Sequence, residues 1–463
     1  MKMHHACYGL TPFGIFICAV LAWIVSPGHK QVFAAVGLHG SASLSVQINE
    51  KIESVRRAGY PTSLKELELW ESPPADCENA ALLWTNAFAA LVHPPFRKFK
   101  HWPELPIKEP LSEDLTRYLQ ELVSANSLAR KRMHKASGVV LSRFILNRQP
   151  ASRDDVEPQG FWNGPFFDDV YKASKVLLAD AVLASTEKRP ESSIQAIVCL
   201  LSLARALGQE PDELFQLESV SVLRLACRAV ERTLSQNELT DAQLGQLQIA
   251  FRVVPRAGAA ARAMAVERCY GIFRFQNWQE RLLPVLKHRA EFDSEFLRDI
   301  GGVRALARYY SRIRDADFLF YLESMEALVE ASGQGYPQCI EAASGVASRL
   351  EEQRANGVRL LYSEWSFTYA LKHSALIATA VPALARNAET AMAVERYRRA
   401  HNGKLPSSVS ALVPTYMESS PLDPCDGAPL RLEERPHGGY RVYGAAAIKV
   451  KGLNPGFICE PCK

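Results

Sequence analysis

Apolar residues recur at three- and four-residue intervals along most of the chain, a spacing that places them on single faces of successive α-helices. In "SASLSVQINEKIESVRRAG", Leu44, Ile48, Ile52 and Val55 share such a face. Gly59 stands where that helix can end in a left-handed conformation, and Ser63 can cap the short helix that follows. Asp76 is expected to cap a helix with Ala81, Trp84, Phe88 and Leu91 inward, stopping before "HPPF". Residues 93–110 hold five prolines and are expected to form a loop. A further helix is predicted from about Ser112 to Met133, with Leu115, Leu119, Leu122 and Ala129 inward.

From 168 to 400 the pattern is almost wholly helical. "SSIQAIVCLLSLARALG" is expected to have a Ser cap and a Gly stop, and Pro211 falls in the predicted first turn of the next helix. Thr240 and Gln243 have the spacing of a capping box. Short polar turns imply antiparallel neighbours, and no fixed period supports a regular solenoid. After Gly403 proline and glycine become frequent. "PLRLEER" and "YRVYGAA" read as two short strands joined by "PHGG". The expected fold is therefore mainly α: an irregular helical bundle or stacked helix pairs, ending in a small α+β unit of helix plus β-hairpin. Three regions follow: a signal or anchor segment (1–40), a helical body (41–385) and a C-terminal unit (386–463).

Residues 13–25, "FGIFICAVLAWIV", are continuously apolar, and the stretch from 8 to 25 just reaches the roughly 18 residues needed to span a bilayer. Val32-Phe33-Ala34 resembles a signal cleavage site. Its distance from the apolar core, with Lys30 before it, favours a single-pass anchor in the cytoplasmic membrane. The alternative is a secreted or periplasmic protein after cleavage, and both put the body on the extracytoplasmic side.

Composition adds little against this picture. Hydrophobic content of 48% over 463 residues can bury a large core. A net charge of +4 gives no reason to expect a nucleic-acid-binding face, and the densest basic run, "ARKRMHK" at 129–135, reads as a solvated helix face or helix end. Cys199, Cys227, Cys269 and Cys339 fall among apolar residues and are expected in the core, as is Cys77.

No paired histidines, phosphate-cradling loop or G-x-S-x-G is present, so no catalytic residue, metal ligand or cofactor is assigned. The one ligand-loop candidate is 147–169, where Asp154, Asp155, Asp168 and Asp169 flank Phe161, Trp162, Phe166 and Phe167. Its plainer reading is a loop pinned to the helices by aromatics, with solvated acids; its sharper one is a cation, sugar or hydrolytic site. Cys459 and Cys462 form C-x-x-C, and Cys425 lies nearby. In an exported protein these suggest a disulfide of Cys425 with Cys459 or Cys462. A zinc site would need a fourth ligand, for which His437 is the local candidate.

The tail carries more pattern: Ala391 to Tyr397, then Asn402-Gly403-Lys404-Leu405-Pro406, Leu412-Val413-Pro414, Asp423-Pro424-Cys425-Asp426-Gly427, and Tyr440 to Tyr443. In that order it resembles the C-terminal half of the major pseudopilin of type II secretion systems. Those proteins bind calcium through acids after the hairpin, and "GAAAIKVKGLNPGF" here has none. With Val55 to Leu67 and Glu78-Asn79-Ala80-Ala81, the layout also resembles a group of bacterial membrane-anchored helical proteins. That resemblance implies an architecture and a location, without a reaction.

The stretch around Gly59, Pro61 and Ser63 is echoed by Gly403, Pro406 and Ser407. In each, a basic-ended helix meets Gly, Pro forces an extended residue before it, and Ser is expected to cap a short helix. Leu64 and Leu67, or Val409 and Leu412, should then fold back on the first helix. The expected function is a non-enzymatic, exported, membrane-anchored helical scaffold or interaction protein, associated with an envelope or secretion assembly, with the membrane and a protein as partners. The alternative is an extracytoplasmic hydrolase or ligand-binding protein using 147–169.

Overall fold

The computed structural model describes residues 41–70, 74–92, 103, 105–144, 164–254, 258–284, 286, 298, 302–424, 426–445 and 457–459. The fold is mainly α. The helices are α1 (Ser41–Arg57), α2 (Leu64–Trp70), α3 (Ala80–Phe88), α4 (Glu113–Ala125), α5 (Ser127–Ser137), α6 (Gly164–Thr186) and α7 (Pro190–Gly208). They continue with α8 (Glu213–Gln236), α9 (Asp241–Arg252), α10 (Ala259–Gln276), α11 (Val303–Gln334), α12 (Tyr336–Ala355) and α13 (Leu361–Ala400). Short turns return α6 to α7 and α7 to α8, whose long mutual contacts form the centre of the stack. α7 is apolar around most of its circumference, so it is stable only inside the protein. Among the described residues it is the helix long and apolar enough to cross a membrane, yet most of it is buried in the core.

Two hydrophobic cores meet along α13. The larger joins α3–α9 with Ala380–Val394 of α13 and with Val409, Leu412, Met417, Leu430, Tyr440 and Val442 of the tail. The second joins Ile48 and Ile52 of α1 with α10, α11, α12 and residues 360–377. α13 is continuous through positions 385 and 386 and contains Pro382. The tail therefore shares its core with α3–α9 rather than building one of its own.

β1 (Arg431–Arg435), β2 (Gly439–Tyr443) and β3 (Phe457–Cys459) form an antiparallel sheet in that order. Arg431 pairs with Tyr443, and Tyr440 with Cys459. The expected hairpin is present, with Gly438 at φ 76° in its turn. β3, which ends at Cys459, adds a third strand to the two expected from the sequence.

Several boundaries differ from the sequence reading. The helix expected over 112–133 breaks at Asn126, which is fully buried and uses its side chain elsewhere. Asn126 Oδ1 accepts from Val92 N (2.8 Å), and Nδ2 donates to Val92 O (3.0 Å). Asp76 opens a 3-10 turn, and Asn79 is the cap of α3. The Ser cap expected for α7 is replaced by Pro190 at its first turn, while Ser193 is buried and bonds Ala181 O (3.0 Å). Pro211 precedes Asp212, the cap of α8. The Thr240–Gln243 capping box is present as expected.

Candidate functional site

Of the predicted ligand loop, Asp154, Asp155, Phe161 and Trp162 lie outside the described residues. Phe166, Phe167, Asp168 and Asp169 sit in the first turns of α6. Phe166 packs against Phe144 (5.1 Å between centroids), Phe215 (5.2 Å) and Phe88 (5.9 Å), and Phe167 against Phe215 (5.2 Å). These rings pin α6 to the larger core. Asp168 is exposed, and Asp169 pairs with Lys172 at 3.3 Å one turn along. Cys425 and Cys462 lie outside the described residues, so the disulfide does as well; Cys459 is placed in β3. Cys199, Cys227, Cys269 and Cys339 are buried free thiols.

The first corner forms much as its residues dictate. Gly59 takes φ 80°, and Tyr60 N reaches back to Val55 O (3.2 Å), closing α1. Ser63 Oγ accepts from Glu66 N (3.2 Å), and the Glu66 carboxylate returns to Thr62 N (2.7 Å) and Thr62 Oγ1 (2.8 Å). Leu64 and Leu67, however, do not fold back on α1. They pack on Val266, Cys269 and Tyr270 of α10, while Arg268 stacks over Tyr60 at 5.0 Å. α10 offers a wider apolar face than a two-turn helix could find on α1. In the second corner Gly403 takes φ 79°, and its N–H donates to Arg398 O (2.8 Å). Pro406 is buried, and Val409 and Leu412 turn back to α13. Ser407 is exposed and does not cap. The short helix is 3-10, with Ser408 at its cap position and no side-chain cap.

Buried polar groups that the sequence reading passed over close the junctions between helices. Asn79 Oδ1 accepts from Ala81 N (3.1 Å) and Arg143 N (2.9 Å), and Nδ2 donates to Arg143 O (2.9 Å). Glu210, wholly buried, accepts from Phe144 N (2.6 Å) and holds the Arg143 guanidinium. Together they dock the extended residues 139–144 between α3 and the end of α7. Asp423 accepts from Ala445 N and ion-pairs with Arg431 (3.4 Å). A Cβ on Gly444 would come within 2.7 Å of that carboxylate, so only glycine fits there.

Arg232 of α8, 1% exposed, donates to Pro106 O (2.6 Å), Glu109 O (3.2 Å) and Thr186 Oγ1 (3.0 Å). Ser235 Oγ reaches Ile107 O (2.7 Å), and Gln236 Nε2 reaches Lys108 O (2.7 Å). The signal was available in "ERTLSQ": three polar residues at i, i+3 and i+4 on a helix otherwise rich in core residues.

Several concavities lie among the described residues, including one of about 460 Å³ beside Arg117, Arg130 and Arg189 and one of about 370 Å³ beside Glu395, Arg398 and Gly403. A cleft of about 490 Å³ opens where the two cores meet, lined by Gly208, Val254, Gly333, Ile377, Pro382 and Arg386 among others. Its charged rim is engaged: Arg252 pairs with Glu389 (2.8 Å) and Glu418 (3.2 Å), and Arg386 donates to Leu422 O (2.8 Å). A smaller cavity of about 260 Å³ lies between α6, α8 and residues 103–107. No cluster of three or more His, Cys, Asp or Glu suited to a metal occurs among the described residues. Comparison with protein-family models, curated proteins and solved structures finds no match to this chain.

Proposed function

We propose that this chain is a non-enzymatic helical scaffold, exported and held to a membrane by residues 8–25, whose body presents surfaces to protein partners of an envelope or secretion assembly. The observation that carries this reading is the use made of buried polar groups. Asn79, Glu210, Arg232, Asp317 and Asp423 each join segments distant in sequence, so their hydrogen bonds fix one arrangement of helices. The described acids of the 147–169 region point separately, one to solvent and one to Lys172, which favours a scaffold over a hydrolase. The apolar length of 8–25 supports the anchor. The hairpin packed on α13 supports a relation of the tail to pseudopilins, in which the corner after α13 buttresses the sheet.

Affinity capture of the full chain from crosslinked native membranes tests this. Co-recovery of envelope or secretion components is expected. Recovery of the chain alone, under conditions that retain a known membrane complex, would contradict a scaffold.

A further inference from the structure

The helices α3 and α5 lie side by side and antiparallel, as the bonds along them show. Asn126, just before α5, holds Val92, just after α3. Midway, Arg132 Nη1 donates to Asn86 O (2.9 Å). Beyond α5, Leu141 O accepts from Ala80 N (2.8 Å) at the start of α3. Each helix buries one side: Ala81, Trp84 and Phe88 on α3, and Ala129, Met133 and Ala136 on α5. The opposite stripes face solvent next to each other. They are Leu82, Thr85, Asn86 and Ala89 on α3, and Leu128, Lys131, Arg132 and Lys135 on α5, both at i, i+3, i+4, i+7. Val140 and Leu141, both exposed, extend this surface past the end of α5.

Its charge is of one sign. Residues 79–92 hold no charged side chain, and residues 126–144 hold no Asp or Glu. The nearest acids along α3, Asp76 and Glu78, sit in the 3-10 turn before it, set off by the extended residue Asn79. Arg130 and Arg143 are taken up by Asp180 and Glu210. Among the described residues no carboxylate pairs with Lys131, Arg132 or Lys135. Between these cations Leu82, Leu128, Val140 and Leu141 stand out singly, Val140 with 62% of its surface exposed. None of them lines a cavity described above. A bound peptide helix would lay its apolar face in a groove. Separate apolar side chains beside uncompensated cations instead fit a flat boundary with hydrocarbon beneath and negative charge at its surface.

We propose that this face rests on an anionic bilayer leaflet, with Leu82, Leu128, Val140 and Leu141 entering the headgroup–acyl boundary and Lys131, Arg132 and Lys135 meeting lipid phosphates. The proposal rests on the membrane reading above only in needing the body beside a bilayer, and its test separates the two.

Lysine acetylation of the full chain reconstituted in vesicles, read peptide by peptide by mass spectrometry, is that test. Vesicles of phosphatidylcholine alone are compared with vesicles that also hold phosphatidylglycerol. Lys65 and Lys404, exposed on other elements, are the internal controls. Lys131 and Lys135 should be protected on the mixed vesicles and acetylated on the neutral ones, while Lys65 and Lys404 react equally on both. Flotation of the chain with neutral vesicles reports the anchor by itself, so failure of anchorage and failure of this face are read apart. Arg132→Gln should lower the protected-to-reactive ratio of Lys131 and Lys135 by about fivefold, the worth of one cation at such a surface. Leu128→Ser with Val140→Ser, both changes at exposed positions, should lower it by about tenfold through lost apolar contact. Equal acetylation of Lys131 and Lys135 on neutral and mixed vesicles would overturn the proposal, as would protection unchanged in both variants. Soluble glycerol 3-phosphate or polyglutamate protecting as well as the mixed vesicles would overturn it too, assigning the face to a free anion or to an acidic protein.

Discussion

Asp317 caps a helix to which it does not belong. Its carboxylate, on α11, accepts hydrogen bonds from Ser363 N (3.1 Å) and Ser363 Oγ (2.6 Å) in the first turn of α13, 46 positions away. Tyr362 N (2.9 Å) and Tyr310 Oη (3.1 Å) donate as well. The longest helix is thus started by a neighbour, because Leu360 at its cap position offers no acceptor. Burial pushes the Asp317 carboxyl from its ordinary 3.8 up to about 6, against the pull of these four donors. Between those values the folded protein holds a proton that the unfolded chain has released. Stability from this group is therefore full below pH 3.8 and declines to about pH 6, by about 3 kcal/mol. Denaturant unfolding across that range should show the decline, and Asp317→Asn should flatten it. Asp317→Ala, which strands buried donors and removes the titrating group, should cost most at the acid end of that range and about 3 kcal/mol less near pH 6.

Asn79 holds the backbone of residue 143 through both of its N–H and C=O groups. Asn79→Ala should cost about 2–4 kcal/mol, the loss of a cap plus buried unsatisfied groups. Hydrogen exchange should rise across 139–144 and in the first turn of α3, and stay unchanged in α11. Uniform acceleration over the whole chain would argue against a local clamp.

Gly271 allows α10 and α11 to touch. A Cβ there would lie 2.2 Å from the ring of Tyr321, whose hydroxyl donates to Glu267 O (2.8 Å). Gly271→Ala should destabilise by about 3 kcal/mol, at the upper end of overpacking costs, because Tyr321 is fully buried and cannot swing out. Pairing it with Tyr321→Ala should recover part of the loss in a double-mutant cycle; strict additivity would place the strain elsewhere.

The tail should hold together without calcium. Arg431 already sits between Asp423 (3.4 Å) and Asp426, supplying the positive charge that joins the turn to β1. Burial alone would raise the Asp426 carboxyl, but Arg431 outweighs it and holds the group below its usual range. Calcium addition or chelation is expected to leave the melting temperature unchanged. Arg431→Ala should loosen β1 and β2 and cost about 1–3 kcal/mol by leaving Asp423 buried without its cation.

Much of the helical pattern was legible because it is periodic. The faces of α1, α3 and α4 are buried where the spacing put them: Ile48, Ile52 and Val55; Ala81, Trp84 and Phe88; Leu115, Leu119 and Leu122. Short-range devices were legible too, as at Gly59, Ser63 and Thr240, where both partners lie within a few residues. What escaped was non-local. Nothing near Asp317 in sequence indicates that its acceptors serve Tyr362 and Ser363, and nothing near Asn126 indicates Val92. The surface shared by α3 and α5 was missed for the same reason. Each helix shows an ordinary outer stripe, and Arg132 meets Asn86 only through how the two pack.

Membrane topology is the most direct test of the proposed export and anchorage by residues 8–25. The full chain should sediment with membranes, resist extraction at alkaline pH, and lose its body to protease added outside intact spheroplasts. Recovery of the uncleaved chain in the soluble cytoplasmic fraction, protected until the cells are lysed, would contradict it.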